Sequence, residues 1–480
     1  MIHIHASHVL LSLLLLPYCS GVPSLVFDQL VDHFGGSGTF KQRYIYSDKF
    51  VTTAKSQLVI IHIRGEAGEK EMSDFPLDVF HLGFNTKSIV ASLEHRFYGQ
   101  SLPSTSPTTS DLNKLLTIKQ SIADIVTFRE YLVKKYALTG PKFVLMGCSY
   151  AGSLAAWARV QHPDLFLGAI ASCPVIDLKY DFPEYQDAVG AAFAQPSVGG
   201  SPACLAFIKR ASGIIKAKLS TLAGRRELET VFGLRGNYLE DARTRQLWLD
   251  RSTDLNGTQS NNPFCSKDLC NIEKKCKFVA SSDVSSEENA LKVFTRIGTQ
   301  LEQPKKLQSY STYISWLKER SNIDQRRFQE FQICTQWVLF ISCNLGSNCP
   351  FVQSPALLAI KQALCQDAFG LSQSDIKKKI AETMKDFGGR SLKKTGNIVV
   401  ILGQMDPWKA AGEVDTSVVG VIKYEVPKAS HCFWTKRGST ELPGVKEVLT
   451  KTVVTVQSWL KATDTTLGSE PGIARPRILL

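Results

Sequence analysis

Apolar residues along this chain fall into two rhythms. Short continuous runs, at 58–63 (L-V-I-I-H-I), 89–93, 143–146 and 165–172, read as buried strands. Between them, apolar positions at Ile118, Ile122, Ile125, Val126, Leu132, Val133 and Tyr136 recur at helical spacing with charges between, and 152–160 (G-S-L-A-A-W-A-R-V) reads as a small-residue helix. Strand and helix in alternation predict a mainly parallel sheet covered by helices. The rhythm stops near 177. It resumes at 397–402 (N-I-V-V-I-L), then at a strand over 418–426 and a helix over 444–461. The division expected is therefore a sheet core at 22–176, an insertion at 177–390 that is mostly polar-helical, a second core segment at 391–462 and a flexible tail at 463–480.

The first 21 residues stand apart. Val9 to Leu16 is too short for a bilayer, which needs about 20 apolar residues, and small residues follow at 19–21. This predicts a secretory signal, although its start carries His and no Lys or Arg. No later run is long enough to span a membrane, so a lumenal or secreted protein, lysosomal or extracellular, is expected. Cysteine usage fits an oxidising compartment. Of twelve Cys, eight (Cys204, Cys265, Cys270, Cys276, Cys334, Cys343, Cys349 and Cys365) fall in the insertion, and four disulfides there are expected. Cys148, Cys173 and Cys432 lie in the core. With no C-x-x-C pair, no zinc site is expected. Asn256 begins the sequon Asn256-Gly257-Thr258 in a polar stretch, an expected glycosylation site on a loop.

Composition narrows the field. With 480 residues and 44% hydrophobic positions the chain can bury a large core, and a length of about 150 residues per domain suggests two or three units. The net charge of +12 comes without a Lys/Arg block or a nucleic-acid motif, so no nucleic-acid partner is expected. A second copy of the chain is an open alternative to a monomer.

The chemistry concentrates at G-C-S-Y-A-G, 147–152. Ser149 follows a strand and opens a helix, with small Gly147 and Ala151 two positions away on either side, as a nucleophile on a tight strand-to-helix turn requires. In this arrangement the order is Ser, acid, His. The histidines past the signal are His33, His62, His81, His95, His162 and His431; only His431 lies late enough. The acid should follow a late strand, which selects Asp406, with Asp415 as the fallback. Asp406 would fix the tautomer of His431 and stabilise its imidazolium. The oxyanion donors expected are the backbone N–H of Tyr150 and of Gly65, in the loop R-G-E-A-G that ends the 58–63 strand. Trp408 and Trp434 could line an apolar pocket for a proline ring, or belong to the core.

Several segments together carry a resemblance: V-D-H-F (31–34), F-K-Q-R-Y (40–44), L-E-H-R-F-Y-G-Q-S-L-P (93–103), G-C-S-Y-A-G-S-L-A-A-W (147–157), C-T-Q-W (334–337), M-D-P-W (405–408) and A-S-H-C (429–432). They resemble the family of prolyl-specific serine exopeptidases, which includes Pro-X carboxypeptidases, dipeptidyl peptidase II and thymus-specific serine proteases. N-C-P-F (348–351) and S-H-C are most similar to the last of these. The resemblance implies an α/β-hydrolase core with a helical, disulfide-bonded cap, a Ser149–Asp406–His431 triad, no cofactor or metal, and peptide hydrolysis, often after proline. It implies Glu94, His95, Arg96 and Tyr98 as signature residues, read first as scaffolding. The chain departs from the family at R-G-E-A-G, at Ala151, at Gln336 in place of Glu, and at F-W after S-H-C. Two rivals stand beside the peptidase: an esterase or lipase on the same fold, and a catalytically silent binding protein.

Overall fold

The computed structural model describes residues 22–52, 58–68, 72, 74–252, 255, 258–298 and 308–467. The expected signal segment and Asn256 lie outside these residues. Eight strands form one sheet in the order β1-β2-β4-β3-β5-β6-β9-β10. They are β1 (Leu25–Leu30), β2 (Thr39–Ser47), β3 (Leu58–Ile63), β4 (Ile89–Leu93), β5 (Lys142–Cys148), β6 (Gly168–Ser172), β9 (Ile398–Gly403) and β10 (Val421–Val426). Strands β7 (Lys179–Phe182) and β8 (Leu339–Ile341) form a separate parallel pair in the insertion. From β4 to β10 every pairing in the large sheet is parallel; β2 runs antiparallel to both β1 and β4. This is the α/β-hydrolase architecture.

Strands β3, β4, β6 and β9 are buried along their whole length because both faces of the sheet centre are covered. In β3, Val59, Ile61 and Ile63 pack into one apolar layer with Leu145 and Leu154, whereas Leu58 and Ile60 pack into the other with Val79, Leu82 and Val445. The helix expected from the pattern up to Tyr136 spans Ile118–Lys135. Thr117 caps its start by accepting a hydrogen bond from Gln120 N, and Lys134 and Lys135 sit in its last turn, favourably placed against the helix dipole.

Some expectations need correction. The antiparallel hairpin β1–β2 was not foreseen. The final strand begins at Val421 rather than 418: Gly420, at φ 79°, turns the chain, and Val419 is 91% exposed. The last helix, Pro443–Leu467, runs past 463, where the tail was expected to start.

After Ser172 the chain leaves the sheet, and it returns at Ile398 beside the same strand, with Ala169 opposite Ile398. The stretch between is mostly helical and holds the four disulfides expected there: Cys204–Cys276, Cys265–Cys270, Cys334–Cys365 and Cys343–Cys349. A fifth, unforeseen, joins Cys148 to Cys432 in the core. No helix among the described residues is long and apolar enough to cross a membrane.

Candidate active site

Ser149 stands between β5 and the helix Tyr150–Gln161 at φ 59°, ψ −131°, a conformation that a non-glycine residue holds only when its surroundings enforce it. Here the enforcement is visible. Ser149 N donates to Ser172 O at 2.8 Å and Ser149 O accepts from Ser153 N at 3.1 Å. A Cβ on Gly147 would lie 2.3 Å from Ala151 O, so only glycine fits there. Alanine fits at 151 for a complementary reason. Its methyl group faces Gly65, and even a Cβ added at Gly65 would stay 3.6 Å away.

Asp406 follows β9, held by its N–H to Gly403 O at 3.1 Å. Its Oδ2 accepts from His431 Nδ1 at 2.8 Å and its Oδ1 from Trp408 N at 2.9 Å. Both members of the pair are buried. The remaining ring nitrogen, His431 Nε2, is buried without a hydrogen-bond partner among the described residues. A ring nitrogen of His431 lies within 4.8 Å of the sulfurs of Cys148 and Cys432, which places the imidazole beside the Ser149 turn. The fallback acid, Asp415, is exposed and accepts from Ser417 N and Oγ at 2.9 and 2.6 Å; nothing connects it with His431.

Tyr150 opens its helix, so its N–H has no acceptor within that helix. Gly65 lies in the loop after β3, and a Cβ placed on it would be 4.0 Å from Cys148 O, so this loop rests on the nucleophile turn. Next to it Glu66 is half-buried; burial pushes its carboxyl above the usual range, and the nearby His431 partly offsets the effect.

The two tryptophans differ. Trp408 is half-buried, stacked on Phe182 and edge-on to Tyr185, and its Nε1 donates to Gln259 Oε1 at 3.2 Å. Trp434 does not line the site. It has no exposed surface, packs in the layer holding Val426 and Val445, and donates from Nε1 to Ser172 Oγ at 2.9 Å. An indole three residues past His431 is an internal prop because the chain turns inward there, at Cys432 (φ 48°).

Other site neighbours were invisible to sequence reasoning. Gln259, from the insertion, accepts His431 N at its backbone oxygen (3.2 Å) and Tyr185 OH at Oε1 (3.2 Å), tying the insertion to the histidine loop. Gln332 does the same for the nucleophile turn: it accepts from Tyr98 OH at 2.5 Å and donates to Tyr150 OH at 3.1 Å. Gln336, the family departure, accepts Ile118 N at 2.9 Å and so serves a helix start. Glu94, His95 and Arg96 are buried in a hydrogen-bonded network beneath the loops. In it His95 bridges Arg96 O and Ser121 Oγ, and burial lowers its pKa to about 4.

Several known proteins are similar in sequence to this chain. The thymus-specific serine protease of Mus musculus is 28% identical over 449 residues, covering 90% of this chain and 87% of its own. The lysosomal Pro-X carboxypeptidase of the same species is 26% identical, covering 81% and 79%. A probable extracellular serine carboxypeptidase of Arthroderma benhamiae is 25% identical, covering 84% and 62%. The model of the serine carboxypeptidase S28 family matches residues 29–444, and the chain belongs to that family of serine-type peptidases.

Proposed function

We propose that Ser149, His431 and Asp406 are the catalytic triad of this peptidase, acting on short peptides or peptide ends in the secretory or endolysosomal pathway, often after proline. The observation that carries this reading is the buried His431 Nδ1–Asp406 Oδ2 hydrogen bond of 2.8 Å, beside the left-handed Ser149. Asp406 accepts a hydrogen bond from Nδ1–H, which keeps the proton on Nδ1 and leaves the unpartnered Nε2 as the base. Nε2 takes the Ser149 hydroxyl proton as Oγ attacks the substrate carbonyl, and returns it to the leaving amine. The N–H groups of Tyr150 and Gly65 receive the oxyanion. Water then repeats the sequence on the acyl-enzyme.

The insertion, 177–390, is proposed as a roof over this site. Its Gln259 and Gln332 reach the histidine loop and the nucleophile turn, so access is limited to slender substrates. Trp408 supplies an aromatic face for a proline ring. A homodimer is compatible with this reading, and light scattering on the pure protein decides between one copy and two.

A fluorophosphonate probe tests the triad. Wild-type protein should be labelled and should cleave a short proline-containing peptide faster than a simple acyl ester. Ser149→Ala and His431→Ala should do neither. Labelling of folded Ser149→Ala at the wild-type rate would remove Ser149 from the mechanism.

A further inference from the structure

Two residues of the triad are joined covalently through their chain neighbours. Cys148 directly precedes Ser149, Cys432 directly follows His431, and these two cysteines are bonded to each other across a sequence separation of 284, with Cα atoms 6.2 Å apart. The other four disulfides all lie between Cys204 and Cys365, and none adjoins a triad residue.

A third sulfur completes the cluster. Cys173, just past β6, is buried and reduced, and its Sγ accepts Cys432 N at 3.1 Å. The Cys173 sulfur, an Asp406 carboxylate oxygen and a His431 ring nitrogen lie within 4.8 Å of one another. Burial, and then the charge of Asp406, push the Cys173 thiol well above its usual range. It is therefore a protonated S–H beside Asp406 and a poor nucleophile toward the adjacent disulfide.

We infer that the Cys148–Cys432 disulfide is a positioning device for the triad, holding the His431 imidazole against the Ser149 turn, so that reduction of this one bond slows catalysis. The inference rests on the triad proposed above. Its physical basis is what else holds the histidine loop. Ala429 O accepts Met405 N at 2.9 Å before His431, and Trp434 Nε1 reaches Ser172 Oγ at 2.9 Å after it. These contacts anchor the ends of the loop, and between them non-covalent contacts are added: His431 N to Gln259 O at 3.2 Å, His431 Nδ1 to Asp406 Oδ2 at 2.8 Å and Cys432 N to Cys173 Sγ at 3.1 Å. Just before it Lys428, and within it Cys432, take left-handed conformations, at φ 59° and 48°. The covalent bond ties the residue next to the imidazole to the residue next to the nucleophile, where a displacement of about 1 Å costs roughly 100-fold in rate.

An external thiol would approach the bond from the Cys148 side. Cys148 is half-buried, while Cys432 is buried. A thiolate attacks Cys148 Sγ, forming a mixed disulfide there and releasing Cys432 as a thiolate that takes up a proton. A second thiolate attacks the sulfur of the bound reagent. It releases Cys148, which is protonated in turn, and leaves the reagent as its disulfide. Two electrons and two protons pass from two thiols to the protein bond.

The test pairs C148A/C432A with C265A/C270A, which removes a disulfide of the insertion. Each is compared with wild type for kcat and KM on a short proline-containing peptide, for fluorophosphonate labelling rate and for thermal melting. C148A/C432A should lose about 10- to 100-fold in kcat and in labelling rate, with KM within about threefold, while C265A/C270A keeps kcat within about twofold. A folded C148A/C432A with wild-type kcat and labelling rate overturns the inference. Should that variant not fold, wild type is titrated with dithiothreitol, alkylated and mapped by mass spectrometry. Activity should fall in step with alkylation of Cys148 and Cys432, and in a parallel sample that is reduced but not alkylated it should return on reoxidation with oxidised glutathione. Full activity in protein alkylated at both positions overturns the inference as well. Wild type that neither cleaves peptide nor takes the probe overturns the peptidase triad, and the inference falls with it.

Discussion

The core contains two clusters of buried ionisable groups, and they are finished differently. In the Glu94–Arg96 cluster the polar groups are richly partnered. Arg43 pairs with Glu94 through two nitrogens, and Glu94 also accepts Ser101 Oγ at 2.6 Å and Gln100 N at 3.1 Å. Arg96 binds Asp124 with Nε at 2.7 Å and Nη2 at 2.5 Å, and its guanidinium also donates to the carbonyls of Leu30, Val31 and Leu115. The second cluster, Ser149–His431–Asp406, stops short. Nε2 of His431 has no partner among the described residues, and Ser149 sits at positive φ. A buried polar atom left unpaired costs about 1–3 kcal/mol and a strained backbone residue a similar amount. Saturated contacts stabilise a fold; a proton acceptor and a hydroxyl kept open are what a reaction needs. On this contrast the E-H-R-F-Y-G segment is scaffold, and S-H-C carries the chemistry in the function proposed above.

The largest expected effect breaks the open cluster. Ser149→Ala and Asp406→Asn should each lower kcat by about 10⁴-fold, the asparagine because it presents an N–H to Nδ1 and imposes the wrong tautomer. Neither should shift the urea midpoint by more than about 1 kcal/mol of stability, since neither changes packing volume much. A large loss of stability with either variant would mean that the triad is also scaffold, and the contrast would collapse.

Breaking the closed cluster should do the reverse. Arg96→Met leaves Asp124 buried without its main partner and should cost about 3–5 kcal/mol in urea unfolding, with kcat per folded molecule within a few-fold of wild type. The pH dependence follows from Asp124. Burial alone would raise its carboxyl, but the charge and hydrogen bonds of Arg96, together with His33, outweigh that and hold it below the usual range. Its stabilisation is complete above about pH 4, the unfolded value, and is lost as pH falls through the folded value. Wild type should keep this contribution at pH 5. Stability that already declined between pH 7 and 5 in wild type, but not in Asp124→Asn, would contradict the assignment.

How much of this contrast was legible in the sequence depended on how local its cause was. The parallel sheet showed because strands covered on both faces must be apolar throughout, as in L-V-I-I-H-I. The nucleophile turn showed because steric demand at Gly147 and Ala151 is set within five residues. Ordering alone singled out His431 and Asp406. The hairpin β1–β2 stayed hidden: T-F-K-Q-R-Y-I-Y-S alternates too weakly, and it buries polar Gln42 and Arg43 against partners far away in the chain. Pairing of Cys148 with Cys432 was hidden for the same reason, since cysteine spacing does not determine connectivity. Trp434 was ambiguous because an indole beside a catalytic loop looks the same in sequence whether it faces substrate or the interior.

Another buried carboxyl, outside both clusters, gives the comparison its finest test. Asp78 lies in the first turn of the helix Leu77–Thr86, and its Oδ1 has no hydrogen-bond partner among the described residues. Like His431 it is incompletely satisfied; unlike His431 it has no place in the mechanism. Burial pushes its pKa up to about 7, partly offset by the N–H groups of Asp78 and Val79. An acid raised in the folded state holds an extra proton there, so this group makes stability fall as pH rises from about 4, the unfolded value, to about 7, and changes nothing beyond. Asp78→Asn removes that dependence. The variant should match wild type at pH 4 and exceed it by about 1–2 kcal/mol at pH 8 in urea unfolding, a fraction of the ceiling of about 4 kcal/mol that three pKa units represent. Its kcat should be unchanged at every pH. A gain in stability independent of pH would show that Asp78 does not titrate across this range. A fall in kcat would show that the carboxyl is coupled to the site, and that incomplete satisfaction in this core marks function in more places than the triad.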